Sequence, residues 1–178
     1  MNYALHLLIY FNIYAILALS LNLVVGYCGL LTLAHAGYYA VGAYTYALLS
    51  QVAGLGFVPA AMGGMLVPAV LSLAVSLPAW RFKGDFFVMV SLAVQALLFS
   101  LLYNWFSAGA PVGSWSNLTN GPFGIAGIPR PMILGYRFDS IGSIAALSFV
   151  LLAMSALVFW RLKGSPWGRL LRAMRDDE

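Results

Sequence analysis

The chain has 178 residues, of which 62% are hydrophobic and only 8% charged, and its mean hydropathy is +0.90. A water-soluble surface needs about 25% charged residues, so an ordinary soluble domain is excluded. Residues 1–80 contain no Lys, Arg, Asp or Glu, which makes lipid their solvent. The net charge of +4 rests on nine cations set between apolar runs, a pattern of membrane topology rather than of nucleic-acid binding.

A bilayer core about 30 Å thick requires roughly 20 apolar residues per helix. Gly/Pro clusters and charges divide the chain into five such runs, predicting an all-α, polytopic helical bundle over residues 1–160. The first run, 4–25, lacks the basic start of a secretory signal and is read as a retained span. The second, 30–50, begins in a glycine-rich stretch, 26–37, that either permits a continuous helix or breaks it where it lines a cavity. Ala36, Ala40, Ala43 and Ala47 recur there at steps of four, three and four, placing small side chains on one face for close helix packing. His35 is read either as a pathway residue or as a neutral imidazole bonded between helices. The third run, 60–80, contains Pro68, which predicts a kink. The polar clip 81–85 leads into the fourth, 86–106, where Gln95 is an amide within an apolar run, as Asn12 and Asn22 are in the first. Such amides bridge helices or line a polar passage.

The connection 107–140 carries only Arg130 and Arg137 as cations and is turn-rich through Asn117, Asn120, Gly121, Pro122, Gly124, Gly127 and Pro129. The fifth run, 141–160, is followed by Arg161, Lys163, Arg169, Arg172 and Arg175, so the positive-inside rule predicts a cytoplasmic C-terminal segment, 161–178. Counting back over five spans puts the N-terminus outside. Ser165 as a cap, Pro166 at the first position and the stripe Trp167, Leu171, Met174 predict a short amphipathic helix. The acids Asp176, Asp177 and Glu178 oppose the dipole at a helix end and suit the start of another helix.

The chain holds no G-x-x-x-x-G-K-[ST] loop to cradle ATP phosphates, so any ATP that drives it is hydrolysed by another subunit. The single Cys28 and two separated histidines offer no metal spacing. No acid precedes Asp85 to orient either histidine, so no catalytic triad forms and no catalytic residue, metal or cofactor is expected.

Three groups of residues carry a family resemblance. The first is Ala18-Leu19-Ser20-Leu21-Asn22-Leu23-Val24-Val25-Gly26-Tyr27 followed by Gly29-Leu30-Leu31-Thr32-Leu33-Ala34-His35-Ala36 and Gly42-Ala43-Tyr44. The second is Lys83-Gly84-Asp85-Phe86-Phe87 with the Asn120 loop and its Gly-Ile-Pro ending. The third is Ser165-Pro166-Trp167-Gly168-Arg169 through Glu178. In this order they resemble the inner-membrane permease subunits of branched-chain amino-acid ABC importers, most of all the LivM type. Thr32 and Ala34 stand where that family usually has Ser and Gly, and Asn120 where it has a second Gly. Family members are much longer, so the chain resembles an N-terminal portion of one.

The resemblance implies a non-enzymatic transport subunit in a multi-pass inner membrane. Its partners would be a homologous permease, cytoplasmic ATP-binding subunits, an extracytoplasmic substrate-binding protein and the lipid bilayer, with no nucleic acid. Within such a subunit Asn22, Thr32, His35 and Gln95 are the candidate substrate-pathway residues, as polar side chains in apolar runs. Without an ATP-binding loop of its own, such a subunit is expected to couple to the ATPase through its charged cytoplasmic segment, Arg169, Arg172, Arg175, Asp176, Asp177 and Glu178, the acids leading in that family into a coupling helix. The alternative is a non-transporting fragment or membrane scaffold.

Overall fold

The computed structural model describes residues 2–79, 85–133 and 135–176. The chain divides into two compact units, residues 1–31 with 138–178, and residues 32–137. Both are built from apolar helices, as the composition predicts. Trp80 and the clip residues Arg81 to Gly84 lie outside the described residues, as do Asp177, Glu178 and the side chains of Met174, Arg175 and Asp176.

In the first unit, α1 (Asn2–Asn22) continues into a π-helical turn, Leu23–Tyr27, and packs along α5 (Ile141–Gly164). Asn12, only 1% exposed, donates through Nδ2 to Ser148 Oγ at 2.9 Å, so the predicted helix-bridging role of this amide is realised between α1 and α5. Interhelical bonds of this kind contribute on average about 0.6 kcal/mol. Ser140 caps α5 by accepting the Ser143 N–H at 3.0 Å. The π-turn begins where the Asn22 side-chain oxygen lies against Gly26, a position at which any Cβ would collide with it. Ser165 ends α5 and opens α6 (Pro166–Asp176), accepting the Gly168 N–H at 3.3 Å, so cap and proline act as the sequence predicts.

The second unit holds α2 (His35–Gln51), α3 (Phe57–Ala79), α4 (Asp85–Asn104), the loop after α4, and a hairpin pairing Met132 with Arg137 and Ile133 with Tyr136. The second helix starts later than the predicted residue 30, because its approach is tied to other partners. Leu33 N–H donates to Ser91 Oγ at 3.0 Å, and Ala34 N–H to Thr32 Oγ1 at 3.3 Å. These backbone groups are satisfied outside a helix, which is what allows a break in an apolar run. At 17 residues α2 spans about 25 Å, less than a bilayer core. Among the described residues, Asn2–Tyr27, Phe57–Ser76, Asp85–Asn104 and Ile141–Gly164 are long and apolar enough to cross a membrane.

The proline in α3 has a packing role. The helix runs through Pro68 without interruption. Because Pro68 lacks an N–H, the carbonyl four residues earlier, Gly64 O, loses the donor a regular α-helix would give it. Gly42 of α2 presses against that carbonyl: a Cβ there would stand 2.8 Å from Gly64 O and 3.4 Å from the Pro68 ring, and one on Gly64 would stand 3.1 Å from Gly42 O. Two glycines thus let two backbones cross in close contact, the small-residue packing of membrane helices.

Apart from Leu98, the buried residues among those described are small or polar, including Ala34, Ala47, Ala60 and Ala145 with Asn12, Ser50, Ser91, Asn117 and Thr119. Many large apolar side chains are exposed, among them Phe11, Met65, Leu73, Met89, Met154 and Val158. A soluble fold does the reverse; this distribution fits a lipid-facing exterior.

Candidate functional site

In the second unit, the N-terminal half of α2 and the C-terminal half of α4 line a half-open cavity of about 220 Å³. Its lining is Gly37, Ala40, Tyr44, Gln95, Phe99, Leu102, Tyr103 and Gly121. Gly37 is buried against α4, and a Cβ there would lie 2.7 Å from Gln95 Oε1 and 2.8 Å from Leu98 Cδ1. The Gln95 Oε1 atom is shielded from solvent and accepts no hydrogen bond from the described residues. A buried acceptor left unsatisfied costs about 1–3 kcal/mol, so its retention calls for a donor from elsewhere. Around it the lining is aromatic and aliphatic, the usual form of a small-molecule site.

The loop after α4 closes one end of this cavity. Thr119 is 1% exposed; its hydroxyl donates to Leu102 O at 2.6 Å, a carbonyl at the end of α4, with Trp105 O next nearest at 3.1 Å. Asn120 adopts a left-handed backbone (φ 61°), with its Nδ2 donating to Gly124 O at 2.8 Å. Gly121 follows at φ 50°, and a Cβ there would stand 2.7 Å from Tyr103 O and 2.9 Å from Phe106 Cβ. Only glycine admits both that conformation and that approach. Gln51 Nε2 fastens the far side of the loop through Ala126 O at 3.0 Å.

In the first unit, α6 turns back over the end of α5. Gly168 is buried against the carbonyls of Leu162 and Lys163, which a Cβ would strike. Arg172 Nη2 donates to Lys163 O at 3.0 Å, and its guanidinium lies 5.5 Å from the centroid of the Tyr27 ring. A cation at a helix C-terminus and over an aromatic face is favoured twice. Arg172 thus ties α6 to α5 and to the π-turn.

The chain matches the family model described as branched-chain amino acid transport system / permease component over residues 3–178. It belongs to that family. It is 33% identical to the Salmonella typhimurium protein named high-affinity branched-chain amino acid transport system permease protein LivM, over 93% of this chain and 42% of the relative. The LivM protein of Escherichia coli K12 matches to the same extent. The chain therefore spans about two fifths of the length of these relatives. No solved structure matches significantly.

Within this permease-family chain the predicted pathway residues fall in both units. Asn22 is exposed at the start of the π-turn of the first unit. Thr32, His35 and Gln95 belong to the second, where Thr32 holds the backbone before α2, His35 is its half-buried first residue, and Gln95 lines the cavity. Of the alanine stripe, Ala47 is buried, Ala40 half-buried and Ala36 and Ala43 exposed. The close helix approaches within the second unit are made by Gly37 and Gly42 on other faces. Of the predicted coupling residues with described side chains, Arg169 is exposed and Arg172 makes the contacts above. Sequence reasoning missed Ser91, Thr119 and the π-turn. The only signal for the last was Asn22 and Gly26 spaced four apart, where a side chain folds over a missing Cβ.

Proposed function

We propose that this chain is a permease subunit of an ABC importer for branched-chain, hydrophobic amino acids. The supporting observation is the unsatisfied Oε1 of Gln95, packed against Gly37, in a side chain that lines the apolar cavity between α2 and α4. In this reading, the ammonium of a free amino acid donates to Gln95 Oε1 while its aliphatic side chain lies against Phe99 and Leu102. The amino acid arrives from an extracytoplasmic binding protein, and a homologous permease completes the pathway. The exposed small residues Ala36 and Ala43 of α2 are the face offered to that permease.

Separate cytoplasmic subunits hydrolyse ATP, and the chain has no enzymatic role of its own. Their push enters through α6, which Gly168 and Arg172 hold on α5 and the π-turn. Arg169 and, by sequence position, Arg175, Asp176, Asp177 and Glu178 meet the ATPase subunits, while Arg172 transmits the movement. In the assembled transporter, the double charge reversal Arg169→Glu and Arg175→Glu is expected to reduce co-purification of the ATPase subunits without reducing membrane insertion. The wild-type association should weaken with salt, because the Debye length falls from about 8 Å at physiological ionic strength to about 3 Å at 1 M. Equal recovery of the ATPase subunits from both chains at low and high salt would remove α6 from the coupling path.

The orientation has its own test. With Cys28→Ser as background, a cysteine at exposed Ser116 is expected to react with an impermeant maleimide in intact cells, and one at exposed Lys163 only after permeabilisation. The opposite pattern would invert the topology.

A further inference from the structure

From Ile141 to Trp160, α5 carries twenty uncharged residues, a rise of about 30 Å, which is one bilayer core. Arg161 and Lys163 therefore stand at the level of the lipid headgroups. There they line, with Trp160, Gly164 and Arg172, a cleft of about 610 Å³. A second cleft, of about 370 Å³, shares Lys163 and Arg172 and reaches Asn22, Gly26 and Tyr27. No carboxylate lines either cleft among the described residues. Three cations from α5 and α6 converge where mutual repulsion opposes them, and an anion between them reverses the sign of that term. The cleft opens beside the ring of Trp160, 70% exposed, and above the outward-facing Leu157, Val158 and Met154. Indole at this depth marks a membrane interface, and the apolar side chains below it suit acyl chains. Gly164 leaves the floor open: a Cβ there meets nothing within 4 Å.

We propose that Arg161, Lys163 and Arg172 form a binding site for the phosphodiester of an acidic phospholipid, whose acyl chains lie along α5. A free phosphate has the same charge chemistry but no reason to favour a cleft flanked by an exposed indole and an apolar helix face. Lipid bound there bridges α5, α6 and, through the adjoining cleft, the π-turn.

The test is a native mass-spectrometry titration of the purified chain with phosphatidylglycerol, with phosphatidylcholine and with inorganic phosphate. Wild type is expected to bind phosphatidylglycerol first and most tightly. The double variant Arg161→Gln, Lys163→Gln should lose about fivefold per cation, roughly twenty-fivefold together. Gly164→Phe keeps all three cations, has room for its first atom, and is expected to block the lipid by filling the cleft. Arg169→Gln, which removes a cation outside the cleft, should bind as wild type does. Equal phosphatidylglycerol binding by wild type, the double variant and Gly164→Phe overturns the site. So does equal affinity for phosphatidylcholine, which indicates generic lipid adhesion, or for inorganic phosphate, which indicates a free-anion site.

Discussion

Replacing Gly42 by leucine is expected to destabilise the second unit by about 1–3 kcal/mol, the usual cost of overpacking, and by more if the helices cannot separate. The new Cβ would fall 2.8 Å from a backbone oxygen, Gly64 O, held in place by α3, rather than against the yielding end of a side chain. Gly56→Leu is the matching control, because a Cβ there has nothing within 4 Å. Thermal denaturation of the two variants in the same detergent should show a clear drop in midpoint for Gly42→Leu and little change for Gly56→Leu. Equal midpoints would mean that the α2–α3 crossing does not depend on its glycines.

Gln95→Leu is expected to separate stability from transport. Removing a buried acceptor that has no partner among the described residues relieves a desolvation cost of about 1–3 kcal/mol, so the melting temperature should hold or rise. Uptake by the complete transporter should fall by one to two orders of magnitude, because a hydrogen bond to a charged group contributes about 1.5–3 kcal/mol. The loss should appear mainly as a higher apparent KM for leucine. Gln95→Glu, which keeps an acceptor, should recover much of the affinity. A lower melting temperature with uptake falling in step with protein level would make Gln95 a structural amide instead.

What the sequence made legible followed from periodicity and local chemistry. The apolar runs predicted the helices, because about 20 uncharged residues have few other folds in lipid. Ser165 and Pro166 predicted the turn into α6, because a cap and a first-turn proline act within a few residues. The start of α2 was not legible, since it depends on Ser91, 58 residues from its partner Leu33. The purpose of Pro68 was equally hidden: a proline predicts a lost hydrogen bond, but not that a glycine from α2 will occupy the space. Gln95 was legible as an amide in an apolar run; its lack of a partner among the described residues required a structure. The contact of Arg172 with Tyr27 was not legible, because helical spacing within α6 ignores a residue that reaches it only after α6 folds back.

The central claim is that the α2–α4 cavity forms part of the wall of a hydrophobic amino-acid pathway. The most direct measurement is photo-crosslinking of the complete transporter with a diazirine analogue of leucine, followed by peptide mapping. The account predicts adducts on residues 37–44 and 95–103 that excess leucine suppresses. Adducts confined to other segments while transport proceeds would contradict it.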